Sequence, residues 1–432
     1  MATPKKSQKN VIAVLEERGL ISQITESGLP EAAATGMLSV YCGWDPTRPS
    51  LQIGNLVPIM ILAHFQRAGH RPLLLVGGGT GMIGDPSFKS EERVLLSTEQ
   101  VAENAEHIRR QLEPFLSFEG ANGAVMLNNA DWLGKMTLIE YLRDIGKHFS
   151  VNAMIAKESV RARLEDRDQG ISYTEFSYMV LQATDYLHLF DHLGCTVQVG
   201  GNDQWGNLTA GVDLIRRARH AHVHALTAPL ITSSSGQKLG KSEGNSLFLD
   251  PELTTAYELY QYWINTEDAD VERYLKIFTF LPLDEIAEIG RKQAADPASR
   301  VGQRLLAFEV TRLVHGEATA RAVEEASQAL FGAGIQTLSE AALPHLAGAV
   351  PTSPIARSAL KAGLPLVETL VSAGIQKSKG EARRLIQQGG LYVNDRRITD
   401  AETLLTPETA LFGRAILVRA GKNKYHLLLA TE

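Results

Sequence analysis

A chain of 432 residues exceeds the ~250–300 residues over which one hydrophobic core grows, so two or three domains are expected. With 44% hydrophobic and 21% charged residues it has an ordinary globular composition, and no run approaches the ~18 consecutive apolar residues of a membrane span. The net charge of −6 argues against a general polyanion binder, and two cysteines, Cys42 and Cys195, are too few for a disulfide framework, a structural zinc or an iron–sulfur cluster. The basic N-terminus lacks an apolar core behind it, so no secretory signal is read and a reducing cytoplasm is expected.

In chain order, residues 10–35 read as one helix. Four short apolar runs follow, Ser39–Cys42, Pro72–Val76, Ala124–Leu127 and Cys195–Val199, separated by amphipathic stretches such as Leu56–Gln66 and Glu175–Leu187. Continuous apolar strands alternating with helices predict a Rossmann-like, doubly wound α/β domain over residues 1–250, with a connective insertion at about 115–195. From residue 251 to 345 the strand signal gives way to successive amphipathic helices, an all-helical domain. Residues 346–364, rich in Pro, Gly and Ser, have linker chemistry. A small α+β module is expected over 365–432: a helix stopped by Gly374, a second opened by Ser378–Glu381 as a capping box, then strand, Asn394-Asp395 turn and strand. Lys377, Lys379, Arg383, Arg384, Arg396 and Arg397 face only Glu381 and Asp395 in this stretch, an RNA-backbone footprint rather than a merely solvated face.

The chemistry concentrates in a few segments. Gly79-Thr80-Gly81-Met82-Ile83-Gly84 matches the dinucleotide fingerprint, but Asp85-Pro86-Ser87 interrupts its helix and no acid-ended strand follows. A dehydrogenase is therefore disfavoured, and Asp85 is expected to point into the cleft. Asp45–Asn55 runs from a strand into a helix, where N–H groups meet an anion and Gly54 leaves room for a flat base. Lys238-Leu239-Gly240-Lys241-Ser242 puts two lysines on a loop, suited to the charge that develops as pyrophosphate departs. Tyr178, Gln182 and Asp185 lie at i, i+4 and i+7 of one apolar helix, and Gly200–Asn207 follows a strand as a binding loop.

Together these motifs resemble a known family. Gln52-Ile53-Gly54-Asn55 and Lys238–Ser242 look like the two signature loops of class I aminoacyl-tRNA synthetases. Tyr41–Thr47, Gly84–Ser87, Tyr178–Asp185 and Gly200–Asn207 resemble bacterial-type tyrosyl-tRNA synthetase. The likeness spans nearly the whole chain, with residues 251–343 similar to that family's anticodon-side domain and 365–432 to the S-four-like RNA-binding domain. It implies L-tyrosine, ATP with Mg2+ and tRNA(Tyr) as partners, no prosthetic group and no metal held by the protein. It also implies a homodimer, with the interface expected at Trp132–Ala156.

By the same resemblance, Tyr41 and Asp185 hold the tyrosine hydroxyl. Asp85, Tyr178 and Gln182 hold its ammonium group, with Gln198 in support and Gln204 near the carboxylate. Cys42, Gly43, Asp45, Gly54, Asn55, Gly201, Asp203 and Lys241 serve ATP. Thr47, Gln52, Lys89, Arg93, Lys238 and Lys241 surround the phosphates. The family's first signature usually begins with histidine, and here Gln52 stands there, a hydrogen-bond donor that cannot become cationic. Two alternatives remain, the tryptophan enzyme of the same class and an RNA-binding scaffold without catalysis.

Overall fold

The computed structural model describes residues 9–25, 28–85, 97–157, 160–161, 164, 171–242, 245–331 and 334–431, with the side chains of Thr98, Lys241, Ser242, Asn245 and Gln336 excepted. The chain divides into two units, Met1–Leu253 with Thr266–Gly302, and Thr254–Asn265 with Gln303–Glu432. The expected helical domain is thus shared between both units.

The first unit is built on a six-stranded sheet. Its strands are β1 (Gln23–Ile24), β2 (Ser39–Trp44), β3 (Arg71–Val76), β4 (Val125–Asn128), β5 (Cys195–Gly201) and β6 (His224–Ala228), in the order β1-β6-β5-β2-β3-β4. Strands β2 to β6 pair in parallel, and β1 joins the edge antiparallel to β6. In β3 every residue from Pro72 to Val76 is buried, as a strand covered on both faces requires. From β2 the chain winds outward to β3 and β4, then crosses back to β5 on the other side of β2 and winds outward to β6. The crevice outside the carboxyl ends of β2 and β5 is therefore the switch point where a doubly wound sheet takes its ligands.

The sequence reading missed β6 and β1, and its first helix is broken. Helix α1 spans Val11–Glu17 and is closed by Gly19 in the left-handed region (φ 71°), while a second helix covers Leu29–Thr35. The Glu17-Arg18-Gly19 signal is a glycine C-cap, which the longer apolar pattern obscured. Arg18 then donates to the carbonyls of Lys276, Thr279 and Leu281 at 3.0, 2.9 and 2.7 Å. These donations satisfy carbonyls at the carboxyl end of a helix over Asp268–Phe278.

Helix α2 (Leu56–Arg67) lies behind β2 and carries His64, whose pKa burial, reinforced by Arg18 and Arg67, lowers to about 3. A base held neutral by the fold contributes stability that is complete above its ordinary pKa of 6.5 and is lost as pH falls toward about 3. The difference between wild type and His64→Leu, read by urea unfolding at a series of pH values, should shrink by on the order of 4 kcal/mol over that window. His64→Leu should flatten the slope; an unchanged slope would assign the acid lability elsewhere.

Two further helices complete the crevice. Helix α3 (Ala130–Leu133) follows β4 directly. Helix α4 (Tyr173–Leu193) starts with a capping box between Ser172 and Glu175 and ends at Gly194 in the left-handed region (φ 61°). Its buried face includes Tyr178, Asp185 and Tyr186.

The second unit carries helices and a five-stranded sheet made of β7 (Thr352–Ala356), β8 (Leu391–Val393), β9 (Arg396–Arg397), β10 (Ala415–Ala420) and β11 (Lys424–Thr431), in the order β9-β8-β10-β11-β7. The expected linker is corrected here: residues 352–356 form an edge strand parallel to β11, Thr352 pairing with Leu427 and Ala356 with Thr431. Pro354 is tolerated because an edge strand leaves one row of N–H groups unused. The Asn394-Asp395 turn has two positive φ values, 48° and 60°, the twist-matched two-residue hairpin. Ser378 caps the helix Lys379–Gln387 by accepting from Glu381 N at 3.2 Å, but the Glu381 carboxylate returns to Lys377 N rather than to Ser378, so the box is half formed.

Candidate active site

A cleft of about 1200 Å3 opens at the carboxyl ends of β2 and β5. Of the residues singled out from sequence, it is lined by Tyr41, Cys42, Gly43, Asp45, Thr47, Gln52, Gly54, Asn55, Asp85, Tyr178, Gln182, Asp185, Gly201, Asp203, Gln204 and Lys238. Gln198 is not on its wall. It is buried on β5 beside Tyr41, its register partner on β2. Lys89, Arg93 and the Lys241 side chain lie outside the described residues.

One half of the cleft is acidic and highly ordered. Asp185 is 2% exposed and accepts from Asn129 Nδ2 at 2.9 Å and Trp132 Nε1 at 2.8 Å. Burial still lifts its carboxyl to a pKa of about 7 against these two donors, with the Asp45 charge adding to the rise. Tyr41 presents a buried hydroxyl without a partner among the described residues, and burial with the nearby Asp185 charge holds its pKa well above the ordinary phenol value. The amide oxygens of Gln182 and Gln198 are likewise buried without partners. Orphaned buried groups are costly, so such a cluster calls for a polar ligand.

Nearer the rim, Tyr178 donates from its hydroxyl to Asp45 Oδ2 at 3.0 Å and Thr80 donates to Asp45 Oδ1 at 2.9 Å. Gln204 Nε2 donates to Asp85 Oδ2 at 2.7 Å. Gly77 makes the Asp45 contact possible, because a Cβ there would stand 2.2 Å from Asp45 Oδ1. Three carboxylates, Asp45, Asp85 and Asp185, thus surround one volume, an environment for a cationic group.

The other half is suited to a nucleotide. Ile53–Asn55 forms a single 3-10 turn into α2, and Gln52 N donates to Asn55 Oδ1 at 2.8 Å, which leaves the Asn55 amide hydrogens for a ligand. A Cβ on Gly54 would meet no protein atom within 4 Å, so the space above it is open to a flat ring. Arg48 and Lys238 are the cations among the described lining residues. Lys238 sits on a hairpin whose turn is closed by Ser233 N to Gln237 O at 2.8 Å, and Gly240 (φ 79°) brings the loop against Ile53. The two signature stretches, nearly two hundred residues apart, are linked through Leu247, whose carbonyl accepts from Ile53 N at 3.0 Å and whose N–H donates to Gly240 O at 2.9 Å. Cys42 is no nucleophile, since burial pushes its thiol up to about 12. Thr80–Met82 makes one 3-10 turn rather than opening a helix, consistent with the dinucleotide fingerprint being accidental.

Sequence reasoning missed Asn129, Trp132 as a pocket donor, Thr80 and Arg48. Asn129 is fully buried and also accepts from Gly79 N at 2.7 Å. Its signal was present: an Asn pair directly after an apolar strand, at the carboxyl edge where such sheets bind ligands.

Orphaned polar groups at a switch point, on a cleft that also holds Arg48 and Lys238, mark the site of an α/β enzyme that takes a polar ligand beside an anionic one. The family model described as "tRNA synthetases class I (W and Y)" matches residues 33–332, and the "Tyrosine--tRNA ligase SYY-like C-terminal domain" matches residues 345–428. The chain is 49% identical to the tyrosine--tRNA ligase of Laribacter hongkongensis over 98% of its own length and 99% of the relative's, and 46% identical to that of Escherichia coli over the same shares. Among solved structures it is similar to a C-terminally truncated mitochondrial tyrosyl-tRNA synthetase of Aspergillus nidulans, with a TM-score of 0.69 and 33% identity over 76% of this chain and 95% of the other. The archaeal tyrosyl-tRNA synthetase of Archaeoglobus fulgidus, at 18% identity and a TM-score of 0.53, shares the fold. The chain belongs to the tyrosine–tRNA ligase family.

Proposed function

We propose that this chain activates L-tyrosine with ATP and transfers it to tRNA(Tyr). The observation that carries the reading is the pairing of buried Asp185 with the unpartnered Tyr41 hydroxyl at the cleft floor. A phenol bridges them as donor to the carboxylate and acceptor from Tyr41, whereas phenylalanine would leave the Tyr41 hydroxyl unpartnered and offer Asp185 no third donor beside Asn129 and Trp132. Tyrosine enzymes of this class are themselves the established illustration of such hydroxyl-based discrimination, so its size is a property of that family and not a prediction from this geometry. The ammonium group sits among Asp85, Tyr178 and Gln182, with Asp45 adding its charge through Tyr178 and Gln204 near the carboxylate. The substrate carboxylate attacks the α-phosphate, pyrophosphate leaves past Thr47, Gln52 and the Lys238 loop, and a terminal ribose hydroxyl of tRNA then attacks the tyrosyl carbonyl of the adenylate, forming the ester and releasing AMP.

On the phosphate side the protein offers cationic and neutral donors, while Asp45 and Asp85 are engaged by Thr80, Tyr178 and Gln204. Magnesium therefore fits as a companion of the triphosphate, which it would help to neutralise. The direct test is ATP–pyrophosphate exchange driven by tyrosine, tryptophan or phenylalanine in turn. Exchange with tyrosine alone supports the reading; none with tyrosine despite tRNA binding would leave an RNA-binding scaffold.

The tail supplies RNA affinity in this reading. Lys377, Lys379, Arg383, Arg384, Arg396 and Arg397 are all exposed, although Lys379 pairs with Glu368 at 2.6 Å and Arg383 with Glu402 at 3.6 Å. Charge reversal at Arg383 and Arg384 should weaken aminoacylation at low tRNA, flatten its salt dependence by about two phosphate contacts and spare pyrophosphate exchange. Equal loss of exchange would place these arginines in folding instead.

A homodimer is supported by the exposed apolar residues of the 132–156 segment, with Leu138 68%, Ile139 66% and Val151 57% exposed. Sedimentation of Leu138→Asp beside the wild type tests it. No helix among the described residues is long and apolar enough to cross a membrane, and a cytoplasmic site of action is the setting proposed.

A further inference from the structure

We propose that His188 is a positioning residue for the tyrosine pocket: with His192 it forms a two-ring buttress that holds the Trp132 indole in place to donate to Asp185. Asp185, His188 and His192 lie at i, i+3 and i+7 of α4 and so share one face. The His188 ring stacks on the Trp132 indole with centroids 4.2 Å apart and planes 11° from parallel. Its other face stacks on His192 at 4.1 Å and 21°. His192 is itself oriented by its Nδ1, 2.9 Å from the His188 carbonyl, an interaction made by the Nδ1-protonated ring. Trp132 is only half-buried and sits on the four-residue helix α3, too short to fix a large side chain by itself. The stack therefore supplies the wall that the local fold lacks, and the indole N–H reaches Asp185 Oδ1 at 2.8 Å.

The consequence reaches the substrate through Asp185. Its ionised form is the acceptor a phenol needs, and the Trp132 and Asn129 donors favour that form against burial. Asp45 acts on it directly; its own charge acts on Tyr41 and Tyr178, and Cys42, Tyr186 and Cys195 also act on the Tyr41 phenol. His188 is acted on by His192 and Asp191 of the same helix, and burial together with His192 lowers its pKa, which favours the neutral ring that stacks. The charged neighbour on α3, Asp131, is exposed.

The inference rests on the tyrosine reading, and the two are separable. Wild-type protein without tyrosine-dependent exchange would sink that reading; normal wild-type exchange leaves the stack to be judged by its variants. His188→Ala should raise the tyrosine KM about tenfold, the equivalent of one aromatic pair, with a smaller change in kcat. It should also move the acid limb of the KM profile up by about one pH unit as Asp185 loses a well-aligned donor. His188→Phe, planar but unable to titrate, should stay within about twofold of wild type. In a Trp132→Phe background, which has no indole N–H, His188→Ala should add nothing, because it acts through Trp132. An unchanged KM in His188→Ala, equal damage from His188→Phe, or full additivity with Trp132→Phe would each overturn the proposal. Should His188→Ala fail to fold, His188→Gln, of similar length and without a ring, is read in the same way.

Discussion

Asp185→Ala should lower kcat/KM for tyrosine in pyrophosphate exchange by at least about a thousandfold, about 4 kcal/mol of transition-state binding. The reason is local and additive in kind. The substitution removes the acceptor of buried Asn129 Nδ2, of half-buried Trp132 Nε1 and of the proposed substrate hydroxyl, while the Tyr41 hydroxyl remains buried. Asp185→Asn keeps the volume and separates charge from shape. Selectivity is the decisive readout: normal rejection of phenylalanine by either variant would mean that the pocket floor lies elsewhere. In the wild type the raised pKa of about 7 makes the tyrosine KM rise as pH falls below that value, since the protonated carboxyl no longer accepts from the phenol. For folding the sign is opposite. An acid whose pKa is raised in the fold costs stability once ionised, so the Asp185 contribution to the unliganded protein falls as pH climbs from 3.8 through about 7, against the opposite contribution of His64; it is read as the difference between wild type and Asp185→Asn, and tyrosine should offset it.

Lys238→Ala and Lys241→Ala should each reduce the rate of adenylate formation by about a hundredfold or more while leaving tyrosine affinity within about twofold. Lys238 is exposed on the cleft wall, on a hairpin whose stem pairs Thr232 with Lys238, and has no part in the proposed tyrosine contacts. A flexible cation of this kind acts on charge that develops as pyrophosphate separates, so it contributes to the transition state more than to the ground state. Single-turnover formation of adenylate beside equilibrium tyrosine binding resolves the two. Equal losses in both would remove the loop from the chemical step. Because Gln52 cannot carry a charge, the lysines are expected to bear more of that charge here, and Gln52→His should make each lysine loss milder.

The legible parts of the site were those carried by short contiguous runs. Gln52–Asn55, Tyr178–Asp185, Gly200–Asn207 and Lys238–Ser242 each announce a backbone shape or a shared face within a few residues, and each run contributes residues to one cleft. The illegible parts depend on what lies across a gap. Thr352–Ala356 looked like a linker because Pro and Ser favour turns, yet the exposed edge of β11 recruits it as a strand. Trp132 read as interface surface, since nothing in its own segment shows Asp185 waiting 2.8 Å from its indole nitrogen.

The amino-acid sequence by itself determined the doubly wound α/β core, the two signature loops, the polar face of α4 and the basic tail, because strand burial, helical periodicity and loop chemistry are local and repeat along the chain. Only the tertiary structure decided that Asn129 and Trp132 donate to Asp185 on the cleft floor, that Asp45 is tied to Tyr178 and Thr80, and that two histidines stack against an indole. Those facts follow from the order in which strands pair, which brings the carboxyl end of β4 beside a helix some fifty residues later. Packing at that distance sets which buried donor finds which acceptor, and the energy of leaving one unpaired is what holds the arrangement together.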